Sequence, residues 1–209
     1  MKNLYIILSK TNTKVAKTIR IIGKQNYSHV SISLEEDFSH IYAYGRPQYN
    51  GFLLGGLVEE SLDRYTLRKN IPTPIKILKI EITDQQYKWI KNIINEMLYN
   101  PEYMYNLYSI LTYPIIKGIY VKNSFTCVEF AVYILQYLGY LTDKPAYKYK
   151  PDEISRFLNK LTIFEGDARE VLPFIVDDNY YKKANIDLFI KSAYSFFRIS
   201  KRSIFEFIW

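Results

Sequence analysis

Asn123-Ser124-Phe125-Thr126-Cys127-Val128-Glu129-Phe130-Ala131 is the stretch that decides how this chain is read. Thr126 and Glu129 have the Thr-x-x-Glu spacing of a capping box, in which the Thr hydroxyl accepts from the backbone N–H three residues on and the Glu carboxylate reaches back. A helix therefore starts at Cys127 and runs through Phe130, Ala131, Ile134, Leu135 and Leu138 to a stop at Gly139. At its first position the thiol faces unpaired backbone N–H groups and the positive end of the helix dipole, which favour a thiolate. A free cysteine is more often a small buried apolar residue. What separates the two readings is a base within reach.

Upstream, Tyr27 to Leu34 alternates strictly, with Val30, Ile32 and Leu34 on one side and His29, Ser31 and Ser33 on the other. This is a half-buried strand that carries His29 on its polar face. His29 is one of two histidines and Cys127 is the only cysteine in 209 residues. That composition excludes an internal disulfide and a typical structural zinc site, and it points to a reducing compartment or to a thiol kept for its reactivity.

The rest of the composition narrows the class further. With 48% hydrophobic and 17% aromatic residues, a sizeable core is expected and disorder is not. The net charge is +7, but the 28 Lys and Arg are scattered among 21 acidic residues without a basic run. A solvated surface explains this better than a nucleic-acid footprint, so no nucleic-acid partner is expected. The apolar run Leu4 to Leu8 is shorter than the roughly 7 to 15 residues of a signal core, and no run approaches the roughly 18 of a membrane span. A buried first strand in a cytoplasmic protein is the reading.

Further strands are expected at Ile41 to Gly45 and Ile75 to Ile82, separated by a Gly- and Pro-punctuated loop from Arg46 to Gly56. Helices are expected at Thr13 to Ile22, from Thr83 to about Leu98 with Tyr87, Ile90, Ile94 and Met97 inward, and at Pro151-Asp152-Glu153. Pro114 and Gly118 prevent one long helix between Tyr103 and Tyr120. Residues 1–165 are read as one domain and 166–209 as an extension packing on it. From Ile186 to Trp209 that extension is a helix or paired strands.

The order of the pieces matters. Tyr27-Ser28-His29-Val30-Ser31-Ile32-Ser33-Leu34 precedes Ile41-Tyr42-Ala43-Tyr44-Gly45-Arg46, then Gly55-Gly56-Leu57-Val58-Glu59-Glu60, and finally Phe125-Thr126-Cys127-Val128-Glu129-Phe130. In this order the chain resembles the circularly permuted branch of the NlpC-type papain-like hydrolases, which includes YiiX-like proteins and lecithin retinol acyltransferase. The resemblance implies an α+β fold of the permuted papain-like type, an antiparallel sheet packed against helices with the Cys at a helix N-terminus.

The resemblance also implies roles. Cys127 would be the nucleophile and His29 its base, with a third residue on the neighbouring strand holding the imidazole. If Glu35 and Glu36 form the hairpin tip, His29 pairs with Tyr42 on the same face, and the third position falls on Tyr42. His40, one pleat away, takes over if the turn is longer. Tyr103 or Tyr105 would support the oxyanion, and Glu60 matches a family acid. The implied activity is a cysteine hydrolase acting on a peptide, an amino-acid amide or a lipid acyl group, with no metal or cofactor. Two alternatives stand beside it: an acyltransferase in weak contact with a membrane surface, and a non-catalytic binding module with a degenerate site.

Overall fold

The computed structural model describes the chain except residues 14, 15, 17–19, 22, 52, 70, 117 and 209, and the side chains of 111, 113–116 and 204–208. The helix expected over Thr13 to Ile22 lies largely outside the described residues.

The apolar runs become strands β1 (Lys2–Ser9), β2 (His29–Ser33), β3 (Ile41–Gly45), β4 (Gly56–Glu60) and β5 (Pro74–Ile82). A short parallel pair follows, β6 (Met104–Tyr105) beside β7 (Ser124–Phe125), and β8 (Thr162–Asp167) comes late in the chain. Six of these form one antiparallel sheet in the order β4-β3-β2-β1-β5-β8. β1 is central and reads as a continuous apolar run because both its faces are covered.

The helices are α1 (Leu62–Thr66), α2 (Asp84–Tyr99), α3 (Leu107–Ile116), α4 (Cys127–Tyr137), α5 (Pro151–Phe157) and α6 (Ile186–Ile208). One sheet face, with Leu4, Ile6, Val30, Ile32 and Tyr44, packs on Ile90, Ile94 and Met97 of α2, Phe130 and Ile134 of α4 and Ile154 of α5. The other face, with Tyr5, Ile7, Ile41 and Ile77, packs on Leu62 and Tyr65 of α1 and on Ala168 and Leu172. The fold is thus α+β, an antiparallel sheet between helical layers, with Cys127 opening a helix.

Both long expected helices start where their caps place them. Thr83 accepts from Gln86 N–H while the Gln86 side chain accepts from Thr83 N–H. Thr126 and Glu129 make the same reciprocal pair. α3 spans ten residues and stops ahead of Gly118, whose φ of +93° suits glycine.

The hairpin between β2 and β3 departs from the sequence reading. Its connection runs from residue 34 to residue 40 rather than turning at Glu35-Glu36. Phe38 adopts φ 54° and buries its ring edge-on against Tyr5, centroids 5.3 Å apart, so an apolar anchor lengthens the turn. Tyr42 consequently sits opposite Ile32, three positions from His29. An odd shift moves a side chain to the other face of the sheet. Tyr42 packs with the α2/α4 core and does not meet His29.

The chain after β8 continues around the molecule. Ala168 N–H donates to Thr73 O at 2.9 Å, and residues 177–181 cross over α1. There the buried Asp63 carboxylate accepts from Asp177 N–H at 2.9 Å and from the Arg68 guanidinium. Arg64 pairs with Asp177 at 2.6 Å.

Candidate active site

Cys127 stands at the first position of α4, held there by the cap below it, and is 5% exposed. The helix packs against β2 and β3, so its N-terminus meets the start of β2, where His29 is the first residue. Thiol and imidazole are neighbours, near enough for the charge of the sulfur to act on the ring. His29 is nearly enclosed, its side chain 14% exposed.

The other side of the ring is held by Glu60, the last residue of β4. His29 Nε2 and Glu60 Oε2 are 2.8 Å apart, which leaves Nδ1 as the nitrogen available to the thiol. Glu60 reaches past β3, its Oε1 passing 3.7 Å from where a Cβ on Gly45 would stand, an ordinary contact distance. The same Oε2 accepts from Ser31 Oγ at 2.8 Å, and Ser31 Oγ lies 2.5 Å from the Tyr65 hydroxyl. Thus β2, β4 and α1 each contribute to one hydrogen-bonded line, Tyr65, Ser31, Glu60 and His29, with Cys127 beyond the imidazole.

The charges along this line reinforce one another. Burial alone would lower the His29 pKa, but Glu60 on one side and Cys127 on the other hold it well above the ordinary 6.5. Burial opposes the charged form of Glu60 as well, and His29, Ser31 and Arg64 more than offset this, so its pKa lies below the usual glutamate value. Burial beside Glu60 and Cys127 keeps the Tyr65 phenol protonated far beyond its usual range.

Tyr105 lies two residues before Cys127 in the parallel β6–β7 register, opposite Phe125. Its phenol is raised by burial first and then by the charge of the nearby Cys127. The approach depends on Gly55: a Cβ at that position would lie 2.5 Å from Tyr105 Cβ, while Gly55 O accepts from Tyr105 N–H at 3.0 Å. Tyr103 points elsewhere, its hydroxyl donating to Glu96 at 2.8 Å. His40 is also away from the site, pairing on the surface with Glu59 at 2.5 Å and stacking on Tyr42.

The structure therefore gathers Cys127, His29, Glu60 and Tyr105 and separates Tyr42, His40 and Tyr103 from them. Ser31 and Tyr65 were not singled out from the sequence. Ser31 was visible only as a neighbour of His29 on the strand's polar face, and Tyr65 enters from a five-residue helix with no periodic signal of its own. Among the described residues, no three His, Cys, Asp or Glu side chains come together as a metal site.

No protein-family model matches this chain, and no curated protein matches it. Among solved structures, the crystal structure of a type VI secretion system effector, TseH, is similar over 77% of this chain and 87% of that chain. The identity is 12% and the TM-score 0.37, a likeness too slight to argue from.

Proposed function

We propose that the protein is a cysteine hydrolase, an amidase or peptidase that cleaves an amide or ester through an acyl-enzyme on Cys127. The observation that carries this reading is His29 of β2 hydrogen-bonded to the buried Glu60 carboxylate, with the helix that Cys127 opens packed against that strand. Its order along the chain and its carboxylate partner fit the permuted papain-like resemblance, in which an acid or a second His orients the ring.

The chemistry follows from the geometry. The sulfur, with its proton held by His29 Nδ1, attacks the substrate carbonyl carbon to form a C–S bond. The oxyanion is met by the backbone N–H of Cys127, one of the donors a helix leaves without an internal partner, and by the Tyr105 hydroxyl. Collapse breaks the C–N or C–O bond, and His29 gives its proton to the leaving group. Water then adds to the thioester with His29 as base, releasing the acid and restoring the thiol. Glu60 stabilises the imidazolium and fixes which nitrogen faces the sulfur.

The test uses p-nitrophenyl acetate with the full chain. Acetylation of Cys127 in quenched samples, detected by mass, and loss of turnover in Cys127→Ala are expected. Alkylation by iodoacetamide is expected to slow in His29→Ala. Turnover retained by Cys127→Ala, or alkylation indifferent to His29, overturns the proposal.

A further inference from the structure

A helix packed on a domain normally turns its apolar side inward. α6 does the reverse. Its solvent side carries Ile186, Phe189, Ile190, Tyr194 and Phe197, between 59 and 79% exposed, at the spacings that form one stripe. Several of its contacts with the domain are polar. Ser200 Oγ meets the Tyr108 hydroxyl at 2.7 Å, and Arg198 and Arg202 both pair with Glu102. Among the described residues, Leu188 and Ile199 are the apolar ones it buries, and Phe196 stacks on Tyr108.

The helix begins at a defined cap, Leu188 N–H donating to Asn185 Oδ1 at 2.8 Å, so the stripe is presented in a fixed frame. We infer that this face is a docking surface for an anionic lipid bilayer, on which α6 lies in the interfacial plane. Charge selects that occupant. Residues 182–209 hold six basic residues, Lys182, Lys183, Lys191, Arg198, Lys201 and Arg202, against the acids Asp187 and Glu206; Arg198 and Arg202 pair with Glu102 and Lys191 with Asp187, while the exposed Lys182 and Lys183 head the stripe. Exposed lysines lie before and along the stripe, where long side chains extend to headgroups while Phe and Ile enter the acyl boundary.

Among the described residues no helix is long and apolar enough to cross a membrane, so α6 lies along the surface rather than through it. The stripe is a convex row on a single helix. Phosphates of a nucleic acid would gain nothing from its Ile and Phe side chains.

The test sediments the full chain with vesicles of phosphatidylcholine containing phosphatidylserine, and with phosphatidylcholine alone. Binding to the anionic vesicles, reversal by salt and little binding to the neutral ones are expected. The double variant Phe189→Ser, Phe197→Ser is expected to lower binding at least about tenfold, with its circular dichroism unchanged and its Cys127 alkylation rate retained. A wild-type chain that stays in the supernatant overturns the inference. So does a double variant that binds equally, or binding indifferent to lipid charge. A dimer in equilibrium sedimentation that the same substitutions dissolve, without vesicle binding, assigns the stripe to a second copy instead.

Discussion

His29 gains its character from two neighbours that sequence distance conceals. Its raised pKa means that the folded state holds the imidazolium proton above pH 6.5, where an unfolded chain releases it. The stability from this group is full below 6.5 and is lost as pH rises through the folded value. The same proton is needed by the leaving group, so activity is expected to persist into the alkaline range. In Glu60→Gln the alkaline limb of the pH–rate profile should move toward lower pH, with turnover falling about a hundredfold as the ring loses its orientation. An unmoved limb would show that Glu60 does not hold the ring. Tyr65→Phe removes one hydrogen bond to Ser31 and should cost about tenfold in turnover without changing KM. Activity retained in Ser31→Thr and lowered in Ser31→Ala would place the effect in the hydroxyl that joins Tyr65 to Glu60.

At the scale of elements, α4 shows how a local signal was legible and a neighbouring one was not. The cap at Thr126 and Glu129 involves residues three apart, so the sequence alone displays it. The partner of His29 depended on the length of a turn, and the buried Phe38 ring set that length through contacts with β1 that no local pattern reveals. Glu60 reaches the site diagonally across β3, a path that period-two reasoning about neighbouring strands does not trace. The same cap has a pH cost. Burial pushes Glu129 up to about 7, although hydrogen bonds from Thr126, Ser109 and Asn106 pull it down. Its folded pKa exceeds the unfolded value of 4.5, so the native state binds the extra proton and stability declines as pH rises from about 4.5 to about 7. The loss is on the order of 3 kcal/mol from this group. Thermal melts of Glu129→Gln across that range should lack this part of the slope, and an identical slope would reject the assignment.

Over the whole molecule, the C-terminal 40 or so residues were the least legible, because their apolar spacing serves a helix facing water as well as one facing a core. The strap at residues 177–181 is held by side chains more than a hundred positions away, chiefly Asp63 and Arg64. Asp63 is fully buried, and replacing it by Ala strips Asp177 N–H of its acceptor and leaves Arg68 with only Asp178. A loss of about 3 kcal/mol is expected, together with faster tryptic cleavage at Lys182 and Lys183, followed by mass. Unchanged cleavage would mean the strap is secured elsewhere.

The sulfur at the head of α4 and the imidazole at the head of β2 belong to segments that meet only when the sheet has closed and the helix has docked on it. A chain emerging from the ribosome therefore carries an ordinary thiol beside no base, and its chemistry switches on with tertiary structure. Because that contact is so distant along the chain, it forms only after a large loop has closed. An electrophile present during refolding would find this lone thiol quickening as the native state assembles, so the protein carries its own clock for the last stage of its folding.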